Sequence, residues 1–231
     1  MRTIKQRFSA TMKKYFLLSF SIFIAAFSFA QVKPSIGVKA GFSSSSIKGE
    51  SANSLNNLLE FTDGRITTSS HSGFFGGVNV TVPLSDQLSF EPGLYYTQKG
   101  YDVRGSLGIK GIEFLGAGAK AQLNLQYVDL PVLLKGNFNG FQVFAGPQVS
   151  YLTSGDLKTT AGVLGINLLN NKMDVTDNFN RWDMGLTGGV GYQFGNVNLS
   201  ASYDHGLSKI DANQSFNAYN RGFKVGVGYK F

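Results

Sequence analysis

The chain has 231 residues, of which only 15% are charged, with 29 glycines, 5 prolines and no cysteine. That is enough for one all-β domain, and it excludes a fold held by disulfides. The formal charge of +7 suggests a nucleic-acid binder, but Arg2, Lys5, Arg7, Lys13 and Lys14 all fall within residues 1–30, where there is no acid, so the remainder is nearly balanced and no nucleic-acid partner is expected.

Residues 1–30 have the order of a secretory signal peptide. Met12-Lys-Lys14 precedes an apolar run from Tyr15 to Phe29, and Ser28-Phe29-Ala30 places small residues at the −3 and −1 positions. The run is shorter than the roughly 20 residues a spanning helix needs. Cleavage near Ala30 is expected, whether Met1 or Met12 is the start, leaving a domain over 31–231. No later apolar stretch could span as a helix.

Eight segments then alternate with a period of two, the mark of strands with unlike faces. Their apolar faces run Ile36–Phe42, Phe74–Val82, Leu88–Tyr96, Val128–Leu134, Phe141–Tyr151, Trp182–Phe194, Val197–Tyr203 and Phe223–Phe231, taking every second residue, and none carries a charge. The opposite faces hold Lys39, Glu91, Lys99, Asp129, Lys135, Asp183, Asp204, Lys224 and Lys230 among many glycines. Small residues on the polar face suit the cramped interior of a narrow barrel. A Lys or Arg on a lipid face would cost about 2–4 kcal/mol at mid-depth. The segregation therefore predicts polar side chains inside and apolar ones outside.

Short and long links alternate between these segments. Pro83–Gln87, Gly136–Gly140 and Gly195-Asn196 are short; Ser43–Ser72, Gln98–Gln126, Leu152–Asn180 and Gly206–Asn220 are long. Outer-membrane barrels have short periplasmic turns and long outer loops. Aromatic girdles are expected at Phe90, Phe141, Phe194 and Phe231 below, and at Phe42, Tyr151, Trp182 and Phe223 above. Pro92 and Pro147 interrupt strands and predict local bulges. The apolar phase shifts between Leu123-Asn-Leu125 and Val128-Asp-Leu130, which predicts a bulge or a strand projecting beyond the bilayer. The weakly alternating Gln98–Gln126 stretch could likewise form a hairpin that extends the barrel. The fold expected is an all-β, eight-stranded antiparallel up-and-down transmembrane β-barrel in the bacterial outer membrane, with lipid around it. Tyr229 and the terminal Phe231 of the last strand are the expected signal to the barrel-assembly machinery.

Phe90-Glu-Pro-Gly-Leu-Tyr-Tyr-Thr-Gln-Lys-Gly100, Tyr127-Val-Asp-Leu-Pro-Val-Leu-Leu-Lys135 and Phe144-Ala-Gly-Pro-Gln148, together with Gly188-Gly-Val-Gly-Tyr-Gln-Phe194, resemble the PorT-type outer-membrane β-barrel family of Bacteroidetes-like bacteria. The resemblance covers about residues 32–231. It implies the same fold and compartment, and it connects the chain to secretion and sorting of surface proteins. It also implies that prolines within these strands belong to the pattern.

No chemistry stands out. His71 and His205 have no companions at metal-ligand spacing and are expected to be exposed at loop bases. There is no G-x-S-x-G elbow, Walker loop or H-E-x-x-H, so no catalytic, metal or cofactor site is expected. Glu91 and Asp129 could form an acid/base pair. They could equally neutralise Lys39 and Lys224 in one lumen cluster, since buried charges need partners, and that reading is preferred. In the third long loop, Val163, Leu164, Ile166 and Leu168 form an apolar run that is either a lid or strand extension, or a surface for another cell-envelope protein. The leading expectation is a non-enzymatic outer-membrane protein acting in docking, sorting or secretion. The alternatives are an outer-membrane enzyme with its site at the loop-barrel rim, and a secreted lipocalin-like ligand-binding barrel.

Overall fold

The computed structural model describes residues 33–49, 66–109, 112–163, 166–212 and 217–231. The described residues of the unit Pro34–Phe231 form nine strands: β1 (Ser35–Lys48), β2 (Ile66–Pro83), β3 (Leu88–Ile109), β4 (Ile112–Phe138), β5 (Phe141–Val163), β6 (Ile166–Asp174), β7 (Trp182–Phe194), β8 (Val197–Gly206) and β9 (Tyr219–Lys230). All pairings are antiparallel. Eight strands close a ring in which β4 pairs with β5, β5 with β7, and β9 with β1, while β6 pairs, among the described residues, with the far half of β5 alone. The eight predicted strands are thus the wall, and the ninth lies within the predicted third long loop.

The register sets the tilt. Partners of Phe90 lead through Leu134, Ala145, Gly188, Tyr203 and Phe223 to Ser44, yet on its other side Phe90 meets Val82, one step beyond the Ser35–Thr81 pair. The ring therefore closes with a stagger of about ten residues, which tilts the strands as a closed sheet requires.

Every predicted apolar face points outward. Ile36, Val38, Phe42, Leu94, Leu134, Val143, Met184, Val190, Leu199, Val225 and Val227 are exposed, whereas Glu91, Lys99, Asp129, Lys135, Gln148 and Ser150 are buried. This is the reverse of a lipocalin-like barrel. Aromatic rings form two belts, with Tyr192–Phe194 and Tyr229–Phe231 contacts at 4.5 and 5.1 Å on the short-turn side, and Tyr151–Trp182 and Tyr203–Phe223 at 4.9 and 4.8 Å on the other. Among the described residues, no helix is long and apolar enough to cross a membrane.

The β7–β8 turn is Gly195-Asn196 as expected, and the β4–β5 turn is tighter than the predicted Gly136–Gly140. β4 and β5 meet at Asn139 and Gly140, both with positive φ (54° and 90°), which is why an Asn-Gly pair stands there. The prolines do not cause bulges. Pairing lapses between Asn79–Gly93 and Val82–Phe90, between Pro92–Val132 and Tyr95–Asp129, and between Pro131–Gln148 and Leu134–Ala145, and each time it resumes in the same register. Pro92, Pro131 and Pro147 each lie in one lapse and pair normally with the following strand. Each missing N–H thus faces the preceding strand, so the ladder loses bonds without gaining a residue.

The phase change in β4 falls where the strand runs on beyond the wall, as expected, with a register shift at Gln126/Tyr127. Burial alternates without interruption from Leu125 through Tyr127, Asp129, Pro131 and Leu133 to Lys135, so it is the lumen that turns apolar at its outer end. The bulge is on β5: Gln126 pairs with Ser154 and Tyr127 with Leu152, leaving Thr153 as the extra residue. A spanning strand needs about 9–11 residues. β3, β4 and β5 have 22, 27 and 23, so the hairpins β3–β4 and β5–β6 project well beyond the wall.

Candidate functional site

Inward positions of the wall strands bring the charged residues into two groups. On the short-turn side, Glu91 is paired with Lys135, lies 4.0 Å from Lys39 Nζ, and accepts from Thr81 Oγ1 at 3.1 Å. Farther up, Asp129 lies 2.9 Å from Lys224 Nζ and 3.2 Å from Lys99 Nζ, and Lys224 also reaches Asp204 at 2.7 Å. Asp183, just above, accepts from Asn220 Nδ2 at 2.8 Å. Among the described residues no ion pair joins the two groups, so the four residues singled out from sequence divide into Lys39 with Glu91 and Lys224 with Asp129. Lys99, Lys135 and Asp204 belong with them; their inward phase marked them, but pairing across strands depends on register. Two lysines surround one carboxylate below, and three carboxylates accompany two lysines above, so the lumen as a whole is balanced.

Glu91 and Asp129 occupy different groups, so they do not form an acid/base pair. Rings pack among the charges. Lys39 Nζ lies 5.5 Å from the Phe144 ring centre and Lys224 Nζ 5.7 Å from that of Phe75, with Tyr95 against Phe75. The cavity beside Asp183, Asp204 and Lys224 is only about 20 Å³, enough for about one water. A larger recess of about 260 Å³ on the short-turn side has Lys39, Glu91 and Lys135 in its lining.

At the outer end an apolar plug lies over these charges. Leu125, Tyr127 and Leu152 are fully buried, with Leu123 and Phe179 packed against them. Phe179 belongs to the β6–β7 link, where a single 3-10 turn (Thr176–Asn178) folds back on β5. Gly155 donates its N–H to Thr176 Oγ1 at 2.9 Å, and Asp174 accepts from Thr176 N and Oγ1 at 2.8 and 2.5 Å, which draws the exposed Asp174 carboxyl below its usual range. The β8–β9 link joins this cover through Asn180 N to Ile210 O (2.7 Å) and Ala212 N to Asn178 O (3.1 Å).

His71 is not exposed at a loop base. It is buried, with Nδ1 2.9 Å from Asp102 Oδ1, while Gln122 and Lys120 approach the other oxygen at 3.2 and 3.7 Å. The projecting β3–β4 hairpin covers it, a contact the local sequence does not announce. His205 packs edge-on against Tyr203 at 6.1 Å. Among the described residues, no three His, Cys, Asp or Glu side chains are grouped as metal ligands. Of the apolar run, Leu164 lies outside the described residues. The backbones of Val163 and Ile166 pair at the tip of the β5–β6 hairpin, with Leu168 farther along β6, while the side chains of these three lie outside the described residues.

An apolar exterior at belt height, a neutralised interior and closed pairing define an integral outer-membrane barrel. A family model described as an outer membrane protein beta-barrel domain matches residues 29–212, and the chain belongs to that family of the bacterial outer membrane. Neisserial surface protein A is similar in structure at 14% identity and a TM-score of 0.46, covering 86% of this chain and 99% of its own. OprG from Pseudomonas aeruginosa gives 16% and 0.42, covering 87% and 97%. Ail, the attachment invasion locus protein of Yersinia pestis, gives 15% and 0.39, covering 86% and 99%. No curated protein matches the chain.

Proposed function

We propose that this protein is a non-enzymatic, non-conducting docking component of the outer membrane, presenting its projecting hairpins to another cell-envelope protein. The observation that carries this reading is the contrast between a filled lumen and a wall that extends on one side. Strand β6 is paired along one edge only among the described residues, and an unpaired edge can take up a strand from a partner. The tip residues Val163, Leu164, Ile166 and Leu168 are the proposed contact. The resemblance to PorT-type barrels of Bacteroidetes-like bacteria supports a place in secretion or sorting. Export by a signal cleaved near Ala30 and assembly guided by Tyr229 and Phe231 belong to the same proposal.

Replacing the four tip residues with Ser tests it by crosslinking and co-purification from native membranes. Loss of the partner with unchanged barrel stability is expected. Retention of the partner, or loss of barrel stability with no partner to lose, contradicts docking. The buried His71–Asp102 pair is the one observation favouring an enzyme at the rim. However, the nearby Ser45 hydroxyl accepts from Gly100 N at 2.8 Å, and both members of the pair are shut from solvent.

A further inference from the structure

The outward face of β1, β8 and β9 changes chemistry just above the upper aromatic belt. Phe42 and Phe223 mark the belt, 79% and 64% exposed. Above them, Ser44 pairs with Phe223, Ser46 with Arg221 and Lys48 with Tyr219, and on the other side Arg221 stands beside His205. Because Asn220 and Lys224 bond within the lumen, alternation turns Arg221 and Phe223 outward. These positions form an external groove of about 750 Å³ whose lining includes Ser44, Ser46, Lys48, Tyr203, Arg221 and Phe223 and holds no carboxylate.

Arg221 is the unusual member. Its Nε is shielded from solvent and has no hydrogen-bond partner among the described residues. The buried lysines Lys39, Lys99, Lys135 and Lys224, by contrast, are ion-paired. A guanidinium at a membrane boundary that no carboxylate of the described residues neutralises suits a phosphate, which its terminal nitrogens can engage through two parallel bonds, with a neighbouring lysine as a point charge and hydroxyls completing the shell. The groove includes Phe223 in its lining, with Phe42 the next outward residue below Ser44, and belt aromatics lie at headgroup level. A phosphate held here therefore has acyl chains below it against Ala40, Val225 and Val227, which also face outward.

We propose that this groove binds the phosphate of an anionic outer-leaflet lipid, with Arg221 as the forked donor and Lys48 as the second charge. The site rests on the membrane orientation of the barrel but not on the docking role.

The full chain in detergent micelles is titrated with phosphatidic acid and, separately, phosphatidylcholine, and retained lipid is counted by native mass spectrometry. One preferentially retained phosphatidic acid is expected. Arg221→Gln should weaken retention about tenfold or more, Lys48→Gln by less, and Lys158→Gln on the projecting hairpin not at all. Should Arg221→Gln fail to give folded, heat-modifiable protein, Ser46→Asp, which sets a carboxylate beside Arg221, must weaken retention instead. Equal retention of the two lipids, or unchanged retention in Lys48→Gln and in either Arg221→Gln or Ser46→Asp, overturns the proposal. Displacement of the lipid by inorganic phosphate at comparable concentration would make this a free-anion site and also overturn it.

Discussion

Glu91 is the only carboxylate paired with Lys39 and Lys135 among the described residues. Glu91→Gln leaves two buried lysines uncompensated, and removing one partner of a buried pair costs about 3–5 kcal/mol. Lys135→Met in that background should recover more than Lys39→Met does, because Lys135 bonds the carboxylate directly while Lys39 stands 4.0 Å away. Unfolding from micelles measures this cycle; strict additivity of Glu91→Gln with Lys135→Met would mean that the two do not interact. The sequence announced that these residues face the lumen, since alternation fixes direction. It could not announce partners, because strand stagger separates Glu91 from Asp129 despite their shared phase. His71 was illegible for a similar reason: Asp102 lies on another strand, beyond the wall.

The strands themselves show where glycine is required. A Cβ on inward Gly146 would lie 2.0 Å from Val132 O, whereas on outward Gly188 it would meet only ordinary contacts at 3.8 and 3.9 Å. Gly146→Ala should destabilise the barrel by about 1–3 kcal/mol. Gly188→Ala should change it by less than about 1 kcal/mol. Heat-modifiability midpoints compare them, and equal effects would contradict the register at β4–β5. On the outer cover, the depressed Asp174 carboxyl contributes stability that is fully present above its unfolded pKa of about 3.9 and fades as pH falls through its lower folded value. Protection of the Thr176 amide from hydrogen exchange should accordingly fall on acidification through that window and be insensitive to pH in Asp174→Asn; pH-insensitive protection in the native chain would contradict the turn. The hairpin β3–β4 was partly visible as weak alternation in Gln98–Gln126. Strand β6 was visible only as one of two alternatives, since an apolar run of its length fits a lid and a strand extension alike.

As a whole, the molecule is a closed barrel that crosses the outer membrane with its apolar faces against lipid, its lumen filled, and its long hairpins on one side. The fold was legible because lipid and lumen demand opposite chemistry at alternate residues, so that every outward residue had been sorted in the chain itself. The outer cover was less so, because the link carrying Phe179 has no period and is placed by Leu125, Tyr127 and Leu152, distant in sequence. The chain's single tryptophan, Trp182, sits in the upper belt, 52% exposed and stacked edge-on against Tyr151. It reports membrane position without any substitution. Its fluorescence should be measured in vesicles whose lipids carry bromine near the headgroup or near the chain ends. Strong quenching by shallow bromine and weaker quenching by deep bromine are expected, as a belt residue at the interface requires. No quenching at either depth, or strongest quenching at the bilayer centre, would contradict that placement.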